Sequence, residues 1–106
     1  MEIGKVQKYG KAYFSGNLGA KFLKNNLSQT RIGFAVGIKF SKKASERNQM
    51  KRWMREIFRQ ELPRIKNGED IIVLARRQEN EKIKPEKLKI DAKKILQEAG
   101  LLISLN

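Results

Sequence analysis

The chain has 106 residues, which suffice for one hydrophobic core but not for two. It carries 24 Lys and Arg against 11 Asp and Glu, a formal charge of +13, and neither His nor Cys. This composition excludes an imidazole base, a thiolate nucleophile and an ordinary zinc site, and it favours a polyanionic partner, with nucleic acid as the first candidate.

The opening segment, residues 1–10, predicts neither export nor a membrane anchor. Its sequence MEIGKVQKYG lacks the apolar centre of a signal peptide, and no later run reaches the length of a transmembrane span. We therefore expect a cytoplasmic protein with no membrane partner, and the absence of Cys fits that reducing compartment. We predict a single domain over residues 1–106, with 1–10 as a short N-terminal stub and 101–106 as an apolar tail.

Two segments, residues 17–24 and 31–39, alternate between apolar and other residues, as half-buried strands do. Their apolar members are Leu18, Ala20 and Phe22 in the first, and Ile32, Phe34, Val36 and Ile38 in the second. The connection NNLSQT is rich in turn residues, so we predict an antiparallel hairpin. The other face of the second strand is small, with Gly33, Ala35 and Gly37, and it fits a nucleic-acid strand or a packed helix equally well.

Residues 44–62 are predicted to form a helix, with Ser41 or Ser45 as its N-cap and Pro63 beyond its last turn. An apolar stripe at helical spacing contains Met50, Trp53, Met54, Ile57 and Phe58. A separate sector of roughly 140° contains Arg47, Asn48, Lys51, Arg52, Arg55 and Arg59. A solvated face usually mixes charges at i,i+4, whereas this sector repeats one sign, so we expect an external anion to compensate it.

The second half completes the predicted fold. Residues 70–75, DIIVLA, form an apolar run typical of a strand buried on both faces, and Pro85 opens a helix that reaches Gly100 as its C-cap. The acidic pair Glu69 and Asp70 is interpreted as the end of a turn and the start of this strand rather than as a magnesium site. We predict an α+β fold: a two-layer α/β sandwich with a mixed sheet and a βαβ crossover that carries the basic helix.

Basic charge is concentrated in the first part of the chain. Residues 1–59 hold 14 Lys and Arg with 3 acids, whereas residues 60–106 hold 10 with 8. The binding surface is therefore expected on the hairpin, the loop SKK and the basic helix, and the C-terminal helix is expected to be structural.

The run ASERNQMKRWMR, residues 44–55, resembles the signature of the protein subunit of bacterial ribonuclease P. That signature has an Ala, two variable residues, Arg-Asn, a basic or amide residue, an aliphatic residue, Lys-Arg and, after two more positions, a basic residue. The segments RIGFAVGIKF, DIIVLARR and YGKAYFSGNLGAKFLKNN are similar to the family's strands, so the resemblance covers most of residues 9–100.

The resemblance implies a fold, a function and a set of partners. The family fold is a small α/β sandwich in which a left-handed crossover carries the Arg-rich helix. The family protein binds a catalytic RNA that uses Mg²⁺ to cleave the 5′ leader from precursor tRNA. The chain is thus expected to be a single RNA-binding domain and an accessory subunit of an endoribonuclease, inactive alone. Its expected partners are ribonuclease P RNA and precursor tRNA, with Mg²⁺ held mainly by the RNA and no obligate protein partner.

The resemblance also implies site residues. By position, the residues expected to contact the RNA subunit are Arg47, Asn48, Lys51, Arg52 and Arg55, to which we add Arg59, Lys39, Lys42 and Lys43 of the same basic region. Candidates for leader or tRNA contact are Phe14, Lys21, Phe22 and Arg31, because single-stranded bases stack on aromatic rings while a cation follows the backbone. A core position for Phe22 is the competing interpretation, and no catalytic or metal-binding residue is predicted.

One departure and three alternatives accompany this hypothesis. Family members usually begin with a basic amphipathic helix that helps to form the leader cleft, and here only a stub precedes Tyr9. A ribosomal or general structured-RNA-binding protein of similar fold would also explain the charge and size. A DNA-binding protein and a stand-alone nuclease fit less well, because the basic helix has a heavily apolar side and clustered acids are lacking.

Overall fold

The computed structural model describes residues 1–78 and 82–103. Within these residues the elements are, in chain order, α1 (Ile3–Tyr9), β1 (Lys11–Ser15), β2 (Leu18–Lys24), β3 (Arg31–Ala35), α2 (Ala44–Glu61), a 3₁₀ turn (Leu62–Arg64), β4 (Glu69–Ala75) and α3 (Pro85–Glu98). The strands form one mixed sheet in the order β1-β2-β4-β3, in which only the β3–β4 pair is parallel. The predicted α+β class and the β3-α2-β4 crossover are confirmed, while the left hand of that crossover stays a prediction.

The hairpin predicted between residues 17–24 and 31–39, which correspond to β2 and β3, is wrong. β2 and β3 are not neighbours, because β4 lies between them and pairs with both. The cause is the composition of β4: Ile71, Ile72 and Val73 are at most 2% exposed, and a strand that is apolar on both faces is most stable inside a sheet. The hairpin forms instead between β1 and β2, where Gly16 takes a positive φ of 55°.

β3 is also shorter than predicted, because it ends at Ala35 and not at residue 39. The Phe40 N–H donates to the Gly37 carbonyl at 3.0 Å, so a turn follows the strand. This turn brings Phe40 into the core at 5% exposure and leaves Ile38 73% exposed. The predicted inward position of Ile38 is therefore wrong.

α2 confirms its predicted length and its apolar stripe. Met50, Met54, Ile57 and Phe58 are at most 4% exposed, and half-buried Trp53 packs against the same core. Neither predicted serine is the N-cap, since Lys43 occupies that position without a side-chain cap. The hydroxyl of Ser41 instead accepts from the Lys43 N–H and donates to Glu46, which orders the approach to the helix.

The two faces of the sheet are covered differently. α2 and α3 pack on the face that carries Leu18, Ala20 and Val73, where the main core lies. α1 lies on the other face, where Val6 and Ile72 are at most 2% exposed. The expected N-terminal stub is therefore a seven-residue helix, and it covers part of the second face.

The C-terminal segment packs back on the core in its first part. α3 ends at Glu98 with Ala99 as its C-cap, one residue before the predicted Gly100, and Gly100 follows with a positive φ of 71°. Leu101 is buried, and Leu102 forms an isolated bridge with Ile65. Residues 104–106 of the predicted tail lie outside the described residues.

Candidate nucleic-acid interface

The basic ridge is the sector of α2 that contains Arg47, Asn48, Lys51, Arg52, Arg55 and Arg59. Asn48 and Arg52 are exposed, and Lys51 is half-buried. Within residues 1–78 and 82–103, the side chains of these three residues have no hydrogen bond or ion pair. The centre of the ridge therefore offers two cations and one amide to an external partner.

The other members of the ridge are partly engaged within the protein. Arg47 donates to the Ser41 carbonyl at 2.9 Å, and the Arg55 guanidinium lies 5.8 Å from the centre of the Phe34 ring. Arg59 pairs with Glu56 at 2.7 Å across one helical turn. The expectation of a ridge without internal compensation thus needs correction at Arg59, although this exposed pair is weak and easily exchanged.

A basic loop precedes the ridge and brings the lysines Lys39, Lys42 and Lys43, all of them exposed. Arg77 holds this loop from the end of β4, since its Nε donates to the Phe40 carbonyl at 2.8 Å and its guanidinium lies 4.8 Å from the Phe40 ring centre. The same guanidinium approaches Glu46 to 3.7 Å. The hydrogen bond from Ser41 and the charge of Arg77 lower the pKa of Glu46, which therefore stays ionised beside the loop lysines.

The end of β1, just before the β1–β2 turn, carries an aromatic ring with a guanidinium over it. Phe14 is 47% exposed, and its ring lies so close to Gly19 that no Cβ would fit there. The Arg76 guanidinium lies 5.0 Å from the ring centre, and its Nε donates to the Gly16 carbonyl at 2.7 Å. Buried Asn17 exchanges hydrogen bonds with the Arg76 backbone at 2.8 and 3.1 Å. Phe14 and Arg76 are therefore held as one stacked pair.

Of the predicted leader contacts, Phe14 and Lys21 lie on the same face of the sheet, the face on which α1 packs. The Lys21 ammonium donates to the Gln7 carbonyl at 3.2 Å, which ties that lysine to α1. The hydrophobic Phe14 surface and the Lys21 cation thus border the same open region beside the short helix.

Phe22 must be removed from the leader candidates. Strand alternation turns it to the helix-covered face with Leu18 and Ala20, where it is 6% exposed. Its ring meets the edge of Tyr13 at 5.8 Å between centres. A buried ring cannot stack on a base, so the competing core interpretation is the correct one.

Arg31 already has a partner within the protein, and its contact with the leader stays a prediction. Nε and Nη2 donate to the two oxygens of Asp70 at 2.8 and 2.7 Å, and Asn25 donates to the same carboxylate at 2.9 Å. The Arg31 hydrogen bonds, more than those of Asn25, hold the pKa of Asp70 below its usual value. This bidentate pair uses the Nε and Nη2 edge of the guanidinium, so a phosphate would have to approach its remaining N–H groups.

The remaining basic groups gather at one end of the sheet. β3 and β4 are parallel, so the loop at 36–43 and the arginines after β4 start from the same end. β2 runs antiparallel to β4 with Leu18 opposite Ala75, which places the β1–β2 turn there too. The sequence interpretation had not selected Arg76 and Arg77, although the abrupt end of an apolar strand in two arginines was a visible signal.

Neither a metal site nor a membrane span is found in the part of the chain that the structure describes. Those residues include no group of three acidic side chains able to hold a metal ion. None of their helices is both long and apolar enough to cross a bilayer.

Comparison with known proteins supplies independent information. The family model described as Ribonuclease P matches residues 1–100. The ribonuclease P protein component of Thermotoga maritima is 41% identical over 76 residues, which cover 72% of this chain and 64% of that protein. The same component of Natranaerobius thermophilus is 36% identical over 75 residues, with 71% and 64% covered. The chain thus matches just under two thirds of the length of these relatives.

Solved structures give the same picture. The RNase P protein from Thermotoga maritima superposes with a TM-score of 0.80 and 32% identity, covering 92% of this chain and 90% of that chain. The RNase P protein of Staphylococcus aureus superposes with a TM-score of 0.81 over 95% and 91% of the two chains. Its identity is 24%, so this second likeness speaks for the fold alone.

Proposed function

This chain belongs to the ribonuclease P protein family, and we propose that it is the protein subunit of a ribonuclease P. In this proposal it binds the catalytic RNA and helps to bind precursor tRNA and its 5′ leader, as part of an endoribonuclease complex. The observation that carries the proposal is the centre of the basic ridge, where Asn48, Lys51 and Arg52 follow the family signature and have no partner among the described residues.

The ridge is suited to docking on folded RNA. The planar guanidinium of Arg52 can take two phosphate oxygens at once, while the Lys51 ammonium acts as a compact charge. Asn48 offers a donor and an acceptor to a base edge or a 2′-hydroxyl. Arg47 and Arg55, held by the Ser41 carbonyl and the Phe34 ring, keep a defined orientation and so lose less freedom on binding.

The loop lysines extend the proposed docking surface beyond α2. Lys39, Lys42 and Lys43 are exposed in the loop that leads into α2, and Arg77 holds this loop from the end of β4, so a single RNA could contact both regions. Each phosphate neutralised in this way releases condensed counterions, which makes the affinity strongly dependent on salt.

We place the leader on the open face, beside the stacked pair of Phe14 and Arg76. The Arg76 guanidinium, 5.0 Å from the Phe14 ring centre, and the exposed part of that ring are surfaces on which a nucleobase can stack, and Lys21 can accompany the backbone. Arg76→Lys keeps the charge but removes the plane, so we expect leader affinity to fall about threefold to tenfold. Quenching of a fluorescent base analogue in the leader measures this stacking, and unchanged quenching would remove the pair from the leader path.

Cleavage itself is assigned to the RNA subunit and its Mg²⁺. In this proposal the chain contributes binding and orientation of the substrate rather than the reacting groups. A precursor tRNA substrate also implies that the protein works in the cytoplasm.

Reconstitution tests the proposal. The protein is added to or withheld from a bacterial ribonuclease P RNA at low Mg²⁺, and removal of the 5′ leader from precursor tRNA is followed. We expect stimulation by the protein and no cleavage by the protein alone. Binding no tighter to this RNA than to an unrelated structured RNA at physiological salt would contradict the proposal and favour a general RNA-binding protein.

A further inference from the structure

A cavity of about 620 Å³ opens at the end of the sheet away from the basic loop and the stacked pair. Its walls come from the start of β1, the end of β2, the start of β4 and the segment after α3. The side chains that give it chemical character are Tyr9, Lys11, Tyr13, Lys24, Lys66 and Glu69. None of these residues belongs to the docking surface or to the leader candidates.

The walls of the cavity are tied together by the backbone. The Lys66 N–H donates to the Leu101 carbonyl at 2.8 Å, which fixes the loop before β4 to the segment after α3. The Asn25 N–H donates to the Gly68 carbonyl at 2.9 Å, which ties the end of β2 to the same loop. The opening is therefore built into the fold and does not depend on a single side chain.

The cavity carries an excess of positive charge. Three lysines line it against one acid, Glu69, which stands opposite Lys24 in the sheet register. Glu69 is 8% exposed, and its burial raises the pKa of the carboxyl against the lowering effect of Lys24. An anion is thus favoured over a cation as the occupant.

The cavity also offers aromatic surface. Tyr9 is 63% exposed, and Tyr13 is held by its edge contact with Phe22, with 68° between the rings. Tyrosine rings in a concave site are suited to a flat aromatic ligand. The volume lies within the roughly 300–1,000 Å³ of small-ligand sites.

We propose that this cavity binds a single nucleotide, with the base against Tyr9 and Tyr13 and the phosphate near Lys11, Lys24 and Lys66. A nucleotide is the ligand class that joins a flat aromatic group to a compact anion, and the cavity has surface for both. The proposal does not depend on how α2 docks on RNA. The nucleotide can be free in solution or the 5′-phosphorylated end of an RNA strand.

Amide NMR of the full chain tests the proposal with adenosine 5′-monophosphate, adenosine and inorganic phosphate as separate probes. We expect the monophosphate to shift the amide resonances of residues 66–69 and 100–101. We also expect it to bind about tenfold more tightly than adenosine or inorganic phosphate alone. A 5′-phosphorylated pentanucleotide forms the second arm. Shifts of the same amides by the monophosphate support a free nucleotide, and shifts only by the pentanucleotide support an RNA end.

Matched charge reversals locate the site. Lys11→Glu with Lys66→Glu alters two exposed side chains of the cavity, whereas Lys89→Glu with Lys94→Glu alters two exposed lysines of α3 that do not line it. We expect at least tenfold weaker nucleotide binding in the first variant and less than a twofold change in the second. If the first variant fails to fold, Tyr9→Ala serves instead, because that ring is largely exposed.

Three results would overturn the proposal: equal losses in both variants, shifts confined to the basic ridge, or inorganic phosphate binding as tightly as the nucleotide. The titration contains no ribonuclease P RNA. Failure here therefore leaves the proposed function untouched, and failure of the reconstitution leaves this site untouched.

Discussion

The two long helices, α2 and α3, carry nearly equal charge but distribute it differently. α2 has five Arg and Lys with three Glu, and α3 has four Lys with three acids. Both bury an apolar stripe against the same core. In α2 the cations share one sector, whereas in α3 a helical projection places Glu86 and Glu98 among the lysines and buries Asp91. The segregation of charge, rather than its sum, therefore distinguishes α2, the proposed binding helix, from α3.

The largest expected effects are losses of stability, and they concern the buried apolar stripe that both helices have. Phe58→Ala in α2 and Leu96→Ala in α3 each remove a side chain with 0% exposure, and we expect each to lower the free energy of unfolding by about 3–5 kcal/mol. Urea denaturation measures both losses. If only Phe58→Ala were destabilising, α3 would not contribute to the core to the same extent as α2.

Charge reversal should then separate the helices. Lys51→Glu with Arg52→Glu in α2 is expected to weaken binding to ribonuclease P RNA about 100-fold and to reduce the dependence of log K on log salt by about 2. Lys89→Glu with Lys94→Glu in α3 makes the same formal change and should alter affinity less than threefold. Filter binding over a range of salt concentrations gives both quantities, and equal losses would show that only total charge matters.

Arg31 and Arg52 differ in their internal partners. Asp70 pairs with Arg31, whereas Arg52 has no hydrogen bond or ion pair among the described residues. The pKa of Asp70 is lowered by folding, so its contribution to stability is complete above the unfolded value near 4 and is lost as the pH falls through the folded value. Asp70→Asn should therefore lower stability at neutral pH and flatten its decrease below about pH 4. Urea midpoints measured across this pH range give both effects, and an unchanged acid limb would show that the pair contributes nothing to stability.

The smallest expected effect concerns Glu56, which among the described residues is the acid that pairs with a ridge residue. Glu56→Gln releases Arg59, so we expect RNA affinity to rise about twofold and the salt dependence to steepen by up to about 0.9. Glu98→Gln in α3 is the control and should leave both unchanged. A loss of affinity on Glu56→Gln would mean that the Glu56–Arg59 pair orients the ridge rather than screening it.

Patterns within one element predicted this molecule well. The period of the helix was enough to place Met50 and Phe58 inside and Arg52 outside, and the family signature lies wholly within α2. The alternation that predicted β2 already placed Phe22 on the same face as the core residues Leu18 and Ala20. The sequence alone therefore argued against Phe22 as a leader contact.

Contacts between distant segments could not be predicted in this way. Asp70 lies 39 positions after Arg31, and the sequence around either residue does not predict the ion pair. The stacked pair of Phe14 and Arg76 likewise depends on how β2 and β4 align. The wrong hairpin prediction had the same origin. β2 and β3 are close in sequence, which favoured pairing them, but β4, which comes later in the chain and is apolar on both faces, lies between them in the sheet.

The interior position of β4 has a consequence for how the protein is made. The ribosome releases β4 after the other three strands, yet β4 is the strand that joins β2 to β3, with Leu18 opposite Ala75 and Arg31 opposite Asp70. Until β4 has been synthesised, β2 and β3 each have an unpaired edge, and the β1–β2 hairpin alone is only marginally stable. Such non-local pairing slows folding. The helix that carries the basic ridge is also the link that brings β4 back to β3, so its apolar side stays without a complete sheet to pack on until most of the chain has been synthesised.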